Sequence, residues 1–202
     1  MTVIPLRLCF KGERTYLHAT DLYEALVGAV QSEFGIQIDG FQMSIRRFFS
    51  RQPDLYWTDS PGESARPVNA VGEWSVAGQG QELRGWVVES GRPVDCRLPF
   101  DEDRIARHAS IQGKTALIDG PLEFLPIELI ISMTKHLHDS LLPACGRRWV
   151  FTKLDLRRLL RPVDSARLQI TLEETLHGRL TRSQIAVAGE PVGKLFFSQA
   201  AL

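Results

Sequence analysis

Three short segments of this chain recur in the same order in its second half, and an internal repeat constrains a fold more than any other feature of a sequence. The paired segments are 12–18 with 120–126, 45–49 with 156–160, and 91–94 with 189–192. The sequence offset between the two members differs from pair to pair, which surface loops of unequal length would explain. The first half carries extra length in the loop-like stretch 58–64. We therefore predict two similar halves, 1–104 and 105–202, with a seam at the charged stretch 101–104. Chance similarity of short apolar and basic stretches is the alternative.

The second half contains a stretch that predicts a long amphipathic helix. Large apolar side chains recur there at four-residue spacing, at Leu125, Leu129, Met133, Leu137 and Leu141. Pro126 suits the first turn of such a helix, where a missing N–H costs nothing. Pro143 and Gly146 would end it.

The first half repeats this pattern in the stretch that follows its own copy of the first segment. The apolar stripe comprises Leu22, Leu26, Ala29 and Val30. Thr20 or Asp21 would cap the start of the helix, and Gly35 follows its end. Each half therefore has one candidate core helix.

After each predicted helix the apolar pattern changes to the two-residue alternation of strands. The alternating runs are 149–160, 167–173, 183–188 and 192–198 in the second half, and 83–89 and 94–98 in the first. The Gly-containing segments 91–93 and 189–191 would close one hairpin in each half. The elements predict an α+β fold in which an antiparallel sheet curls around one helix per half.

Composition and cysteine content exclude several classes of function. Lys plus Arg and Asp plus Glu both total 24, so the chain has no net positive charge that would favour binding to nucleic acid or to an anionic membrane. Cys9, Cys96 and Cys145 are widely spaced, with no His placed to complete a zinc site, and we expect structural thiols in a reducing, cytoplasmic compartment. No apolar run approaches the roughly 20 residues of a membrane span. Phosphate-binding and nucleophile-elbow motifs are missing, and no metal or other cofactor is expected.

This order of elements resembles the hotdog superfamily, and the two halves resemble the double-hotdog arrangement, in which two units of one chain imitate a dimer. The resemblance implies an acyl-thioester enzyme, chiefly a thioesterase or a 3-hydroxyacyl dehydratase. It implies coenzyme A or acyl-carrier-protein thioesters as substrates. Exposed sheet edges also make a homodimer reasonable.

Carrier-protein dehydratases of the superfamily place a catalytic carboxylate six positions after the proline that starts the helix. Counting six positions from Pro126 reaches Ser132, and counting from its repeat partner His18 reaches Glu24. Only the first half keeps an acid there. One acid per chain would suit a pseudo-dimer that has retained one of two ancestral sites.

The candidate catalytic residues therefore cluster at the start of the first helix. Glu24 lies between Leu22 and Leu26 in the sequence, so partial burial would raise its pKa and make it a general base. The neutral imidazole of His18 could accept a proton or orient a water, and Asp21 is a third candidate that a capping role explains equally well. A solvated glutamate and a loop histidine are the structural alternatives.

Substrate contacts are expected at the same helix start and at two basic pairs. Backbone N–H groups from Ala19, Thr20 and Asp21 could polarise a thioester carbonyl that lies across the junction of the two helices. Side chains predicted to contact substrate are Tyr23, Ser132, Arg46 and Arg157, the arginines because Arg46-Arg47 and Arg157-Arg158 could bind a coenzyme A phosphate or an acidic carrier. A shared structural role for the arginine pairs is equally good. His136, His138 and Asp139 are interpreted as the polar flank of the second helix, since alternate helical residues point apart.

One departure from the dehydratase pattern changes the functional prediction. Those enzymes carry a catalytic His in a Gly-His-Phe-Pro-like segment shortly before the helix, whereas 4–17 and 111–125 contain no His. A thioesterase-like hydrolase is therefore favoured. The alternatives are a catalytically lapsed hotdog protein that binds an acyl ligand or a partner, and a dehydratase-like enzyme without the usual His.

Overall fold

The computed structural model describes residues 2–57, 66–142 and 147–201. The chain divides into two compact units, Met1–Phe100 and Asp101–Leu202. Asp101, the first residue of the second unit, accepts a hydrogen bond from Arg104 N at 2.9 Å and caps a helix of that unit. The predicted loop 58–64 and the helix-ending Pro143 and Gly146 fall outside the described residues.

The first unit consists of one long helix and an antiparallel sheet. Its elements are β1 (Thr2–Pro5), β2 (Phe10–Lys11), α1 (Ala19–Phe34), β3 (Gly40–Ile45), β4 (Pro53–Trp57), β5 (Ala70–Gly78), β6 (Gln81–Glu89) and β7 (Arg97–Leu98). The sheet has the strand order β1-β4-β6-β5-β3. The short strands β2 and β7 form a separate parallel pair.

Helix α1 lies where its apolar stripe predicted it. Leu22, Leu26 and Val30 are fully buried, and Gly35 ends the helix in the left-handed conformation with its N–H bonded to Gln31 O. The predicted caps are wrong: His18 is the N-cap residue, in extended conformation, and Thr20 and Asp21 lie inside the first turn. The helix therefore begins earlier than the capping pattern indicated.

The hairpin predicted for 83–98 is also wrong. Strand β6 pairs with β5 through the turn Gln79-Gly80, whose φ angles of 53° and 76° match the twist that a two-residue hairpin requires. After β6 the chain crosses to β7, which runs parallel to β2. Gly91 therefore follows a strand, whereas its supposed partner Gly189 closes a hairpin turn with φ 85°.

A disulfide joins Cys9 to Cys96 beside the β2–β7 pair. Backbone hydrogen bonds from Phe10 N to Cys96 O (3.0 Å) and from Gly12 N to Leu98 O (2.9 Å) align the two segments. The prediction of free thiols is wrong for these two cysteines, because chain segments distant in sequence meet here. The cytoplasmic placement stays a prediction.

The second unit has a similar content of elements. They are α2 (Glu102–His108), β8 (Ser110–Gln112), β9 (Thr115–Asp119), α3 (Pro126–Leu141), β10 (Arg147–Leu156), a short 3₁₀ turn (Pro162–Ala166), β11 (Arg167–Leu176), β12 (Leu180–Val187) and β13 (Glu190–Ala201). Its strands are ordered β10-β13-β12-β11-β9-β8 and pair antiparallel. Leu129, Met133 and Leu137 of the predicted stripe are fully buried in α3, which Pro126 begins.

Two of the three paired sequence segments lie beside similar elements in the two units. The first pair leads into α1 and α3, and the second pair ends β3 and β10, the first strand after each helix. The backbone N–H groups of Arg46 and Arg157 donate to Val71 O and Val192 O, respectively. The third pair fails, as the positions of Gly91 and Gly189 show. Across the described residues, no helix combines the length and apolar character that crossing a bilayer requires.

His138 is buried, contrary to its interpretation as part of a polar flank. Its side chain is 0% exposed and packs against the rings of Trp149 and Phe197, with ring centroids 4.7 and 5.3 Å away. His138 lies four residues after Thr134, which is also fully buried, so the buried face of α3 is wide enough to include the row that both residues share. This burial lowers the pKa of His138 from 6.5 to about 4.

The buried imidazole makes stability depend on pH. At pH values between the folded pKa of about 4 and the unfolded pKa of 6.5, His138 is protonated in the unfolded chain but neutral in the folded chain. The free energy of unfolding should therefore fall as the pH drops from 6.5 to 4, by up to about 3 kcal/mol from this residue. Denaturant unfolding of the native protein and His138→Gln at both ends of that range measures the effect. Equal losses in the two proteins would contradict this assignment.

Candidate functional site

Four polar side chains of the first unit meet at the start of α1. His18 Nδ1 lies 2.7 Å from Thr20 Oγ1, and Lys11 Nζ donates to the same oxygen at 3.3 Å. Lys11 Nζ also lies 2.5 Å from Asp21 Oδ1. His18, Lys11 and Thr20 are buried, with exposed fractions of 6%, 4% and 0%. A connected set of buried polar groups at a helix start differs from the solvated histidine and acid that would be ordinary there.

Aromatic packing and the short strand pair place the lysine. Lys11 is the last residue of β2 and is paired with Leu98 of β7, two residues before Phe100. The ring of Phe100 lies 5.3 Å from Lys11 Nζ and 5.8 Å from the His18 ring centroid. The cation thus has an ion pair, a hydroxyl and an aromatic ring around it, which together offset the cost of burying an ammonium group.

The first turn of α1 can polarise a carbonyl group. The first backbone N–H groups of a helix, here those of Ala19 and Thr20, point out of its N-terminal end, and the His18 side chain does not cap them but bonds Thr20 Oγ1 instead. The start of α3 differs, because Glu128 Oε2 accepts a hydrogen bond from Leu125 N at 2.9 Å. Of the two long helices, α1 alone combines its N-terminus with a buried histidine and lysine.

Glu24 is exposed, and the expectation that it is partly buried is wrong. Leu22 and Leu26 are both fully buried, but residues two apart on a helix lie about 200° apart around its axis. A residue midway between two stripe positions therefore faces away from the core. Neighbours in sequence are not neighbours on a helix surface.

The other predicted residues of α1 have different surroundings. Thr20 is fully buried within the polar set, and Ala19 is half-buried beside it. Tyr23 is 2% exposed and meets Phe41 edge to face, with ring centroids 4.9 Å apart. Tyr23 therefore packs in the core of the first unit, whereas Ala19, Thr20 and Asp21 belong to the helix start.

Ser132 and most of the arginines make contacts within their own units. Ser132 is 2% exposed and its Oγ lies 3.4 Å from Glu102 Oε1. Arg46 pairs with Glu73 at 2.7 Å. Arg157 is exposed, and its backbone N–H donates to Val192 O. None of these three residues lies at the start of α1.

The partners of the basic pairs are carboxylates. Arg47 binds Glu89 at 2.8 Å, and Arg158 binds Asp164 at 2.6 Å. Burial of Asp164 would raise its pKa, but hydrogen bonds from Arg158 and from Arg161 N lower it overall. These contacts favour the structural interpretation of Arg47 and Arg158.

Sequence reasoning missed Lys11 and Phe100. Both residues reach the site through β2 and β7, strands of two residues each that pair across the length of the first unit. Strands this short carry no readable alternation, so only the structure brings these residues to His18. Among the described residues, no group of three or more His, Cys, Asp or Glu side chains could hold a metal ion.

Comparisons with known proteins identify the fold. No family model and no curated protein matches the chain. The dehydratase domain of PpsC from Mycobacterium tuberculosis in complex with C12:1-CoA matches with TM-score 0.55 at 8% identity, over 98% of this chain and 93% of that chain. Another structure, described as giving insights into substrate modification by dehydratases from type I polyketide synthases, matches with TM-score 0.51 at 10% identity, over 93% and 85%. The pyran synthase domain from module nine of the sorangicin pathway matches with TM-score 0.50 at 12% identity, over 98% and 92%. The chain therefore has the hotdog fold.

Proposed function

We propose that this hotdog protein processes acyl thioesters, and that it hydrolyses them at the start of α1. The observation that carries the proposal is the buried set formed by His18, Thr20 and Lys11, with its ion-pair partner Asp21, beside the first-turn amides. It joins a group able to accept a proton to donors that can hold an oxyanion. The substrate class follows from the fold neighbours, one of which is in complex with C12:1-CoA.

The hydrogen bonds define a role for His18. Thr20 Oγ1 accepts from Lys11, and in the tautomer with the proton on Nδ1 it accepts from His18 as well, which leaves the lone pair on Nε2. In this state Nε2 takes a proton from water while the water oxygen bonds to the thioester carbonyl carbon. First-turn amides hold the oxyanion. Collapse of the intermediate breaks the C–S bond, and the leaving thiolate receives the proton from the imidazolium.

Hydrolysis fits this geometry better than dehydration does. Removing a 3-hydroxyl group needs an acid that protonates the leaving oxygen, as well as a base. Asp21 is already engaged in an ion pair with Lys11, so it does not supply that acid in this arrangement. Glu24 faces solvent. The proposal therefore assigns proton transfer to His18 and positioning to Lys11, Thr20 and Asp21.

We further propose that the two units are hotdog repeats and that one catalytic site exists per chain. Each unit has a 16-residue helix followed by antiparallel strands, which supports the repeat. At the start of α3 the Glu128 carboxylate accepts the hydrogen bond of a backbone N–H group, which supports a single site per chain, at α1. Coenzyme A or acyl-carrier-protein thioesters are the proposed substrates, and a homodimer the proposed assembly.

Thiol release from a panel of acyl-coenzyme A and acyl-carrier-protein thioesters tests the proposal. We expect release above the uncatalysed rate for at least one chain length, with the free acid as the second product. Parallel incubation with 3-hydroxyacyl thioesters detects formation of the enoyl product. Enoyl product without thiol release would replace hydrolysis by dehydration, the second candidate, which the dehydratase neighbours favour. Binding without either product would make the protein a lapsed, acyl-binding hotdog protein.

A further inference from the structure

The Cys9–Cys96 disulfide lies beside the two site residues that sequence reasoning missed. Cys9 precedes Lys11 by two residues. Cys96 precedes Phe100 by four, and the ring centroid of Phe100 lies 5.3 Å from Lys11 Nζ. Both cysteines are partly exposed to solvent, so a small reductant has access to this part of the chain. The disulfide is therefore an accessible covalent link next to the polar set at the start of α1.

The chain that precedes Cys9 is held by contacts other than the disulfide. Leu6 and Leu8 are buried, with 5% and 4% of their surfaces exposed. The buried side chain of Gln52 accepts a hydrogen bond from Leu8 N at 2.7 Å and donates one to Leu8 O at 2.8 Å. Leu6 N donates to Pro53 O at 3.0 Å. Side-chain burial and backbone hydrogen bonds thus fix the segment that leads into β2.

The chain on the other side of the bond is held much less firmly. Arg92 fixes its start, because the guanidinium donates to Leu6 O at 3.2 Å and to Pro53 O at 3.1 Å. Residues 93–100, which we call the arm, follow. The structure describes the whole arm, and no side chain in it is buried. Its strand pairing is limited to β7, and two residues of pairing are too few to be stable alone.

Phe100, the last residue of the arm, stabilises the polar set. Its ring makes a cation–π contact with Lys11, which is 4% exposed, and lies 5.8 Å from the centroid of the His18 ring. Removing the ring would let water reach the ammonium group and would weaken its ion pair with Asp21. The position of the arm therefore affects the charges around His18.

We propose that the Cys9–Cys96 disulfide is a redox switch that holds the arm against the site and so controls the proposed hydrolysis. The inference rests on the proposed function for the activity that is controlled. A dithiol forms a mixed disulfide with one cysteine, then closes its own disulfide and leaves both cysteines as thiols. Two electrons and two protons pass from the dithiol to the protein. The arm is then released with Phe100, whereas the chain before Cys9 keeps its anchors.

Amide NMR of the native protein tests the release of the arm and needs no turnover. A water-soluble phosphine reduces the disulfide, and alkylation followed by mass measurement counts the thiols. The amide protons of Phe10 and Gly12 donate to carbonyl groups of the arm, so they should shift upfield as they lose these acceptors. Those of Leu6 and Leu8 have acceptors outside the arm and should stay in place. Shifts of all four resonances, or of none, in the reduced protein would overturn the proposal.

Turnover provides the second test. Release of free acid from a thioester that the oxidised protein hydrolyses should fall at least about tenfold on reduction, the fold-change equivalent of losing a partly desolvated cation–π contact. The phosphine carries no thiol that would itself cleave the substrate. Replacing it by oxidised glutathione should restore turnover. A reduced protein that releases its arm and keeps full turnover would contradict the control of hydrolysis.

Two variants separate the effect of the arm from that of the bond. Phe100→Ala keeps both bonded cysteines but lacks the ring, so its turnover should match that of the reduced native protein and should not fall further on reduction. Cys145→Ser is the matched control, because it retains Cys9 and Cys96 and should respond as the native protein does. A full response to reduction in Phe100→Ala would overturn the proposal. Release of the arm in a protein that hydrolyses no thioester would leave the redox-controlled arm standing and the proposed activity unsupported.

Discussion

Replacing Cys9 and Cys96 by serine should lower the free energy of unfolding by about 4–5 kcal/mol, the loop-closure entropy expected for cysteines 87 residues apart. The disulfide joins the segments that form the β2–β7 pair, so its loss releases two strands too short to pair stably alone. Denaturant unfolding measures the change. Lys11 and Phe100 reach the site through these strands, and we therefore expect the variant to lose hydrolytic activity as well.

Single variants provide the control for the disulfide. Cys9→Ser and Cys96→Ser should each destabilise the protein as much as the double variant does, because either substitution breaks the same bond. Treating the native protein with a reductant should reproduce the loss, whereas the double variant should not respond to it. Additive effects of the two single substitutions, or a native protein indifferent to reductant, would show that no such bond forms.

Replacing His18 by asparagine should reduce thioester turnover by about two to four orders of magnitude, the usual contribution of a general base. Asparagine can still bond Thr20 but cannot take a proton from water. The dependence of turnover on pH should differ between the native protein and His18→Asn, a difference that a merely structural role for His18 would not produce.

Two substitutions of exposed acids on the same helix serve as controls for the His18 variant. Glu33→Gln removes an exposed carboxylate near the far end of α1 and should leave turnover unchanged. Glu24→Gln should resemble it, because Glu24 faces solvent. A large loss in Glu24→Gln with a small loss in His18→Asn would return the catalytic role to the glutamate.

The long helices could be predicted because their signal is local and repeated. Leu129, Met133 and Leu137 mark one face of α3, and several turns of agreement outweigh any single exception. The same reasoning misplaced Glu24 because it used adjacency in the sequence instead of angle around the axis. His138 is the opposite error, a residue predicted to be on the polar flank that is fully buried. A polar residue beside a wide apolar face can be covered by neighbouring aromatic rings.

The polar site could be predicted only in part. His18 and Asp21 are local to the helix start and were candidates from the sequence. Lys11 and the Cys9–Cys96 pairing depend on contacts between segments at opposite ends of the first unit, and no periodicity reports such contacts. The incorrect hairpin prediction after Glu89 has the same origin, because a glycine and a proline indicate a turn but not which strand the following segment pairs with.

The parallel pairing of β2 with β7 has a consequence for protein engineering. Segments near the beginning and the end of the first unit lie side by side in the β2–β7 pair, and the Cys9–Cys96 disulfide joins them covalently. Units whose ends are close together tolerate fusion and circular permutation well. A permuted chain could therefore open the first unit at the Gln79-Gly80 turn instead.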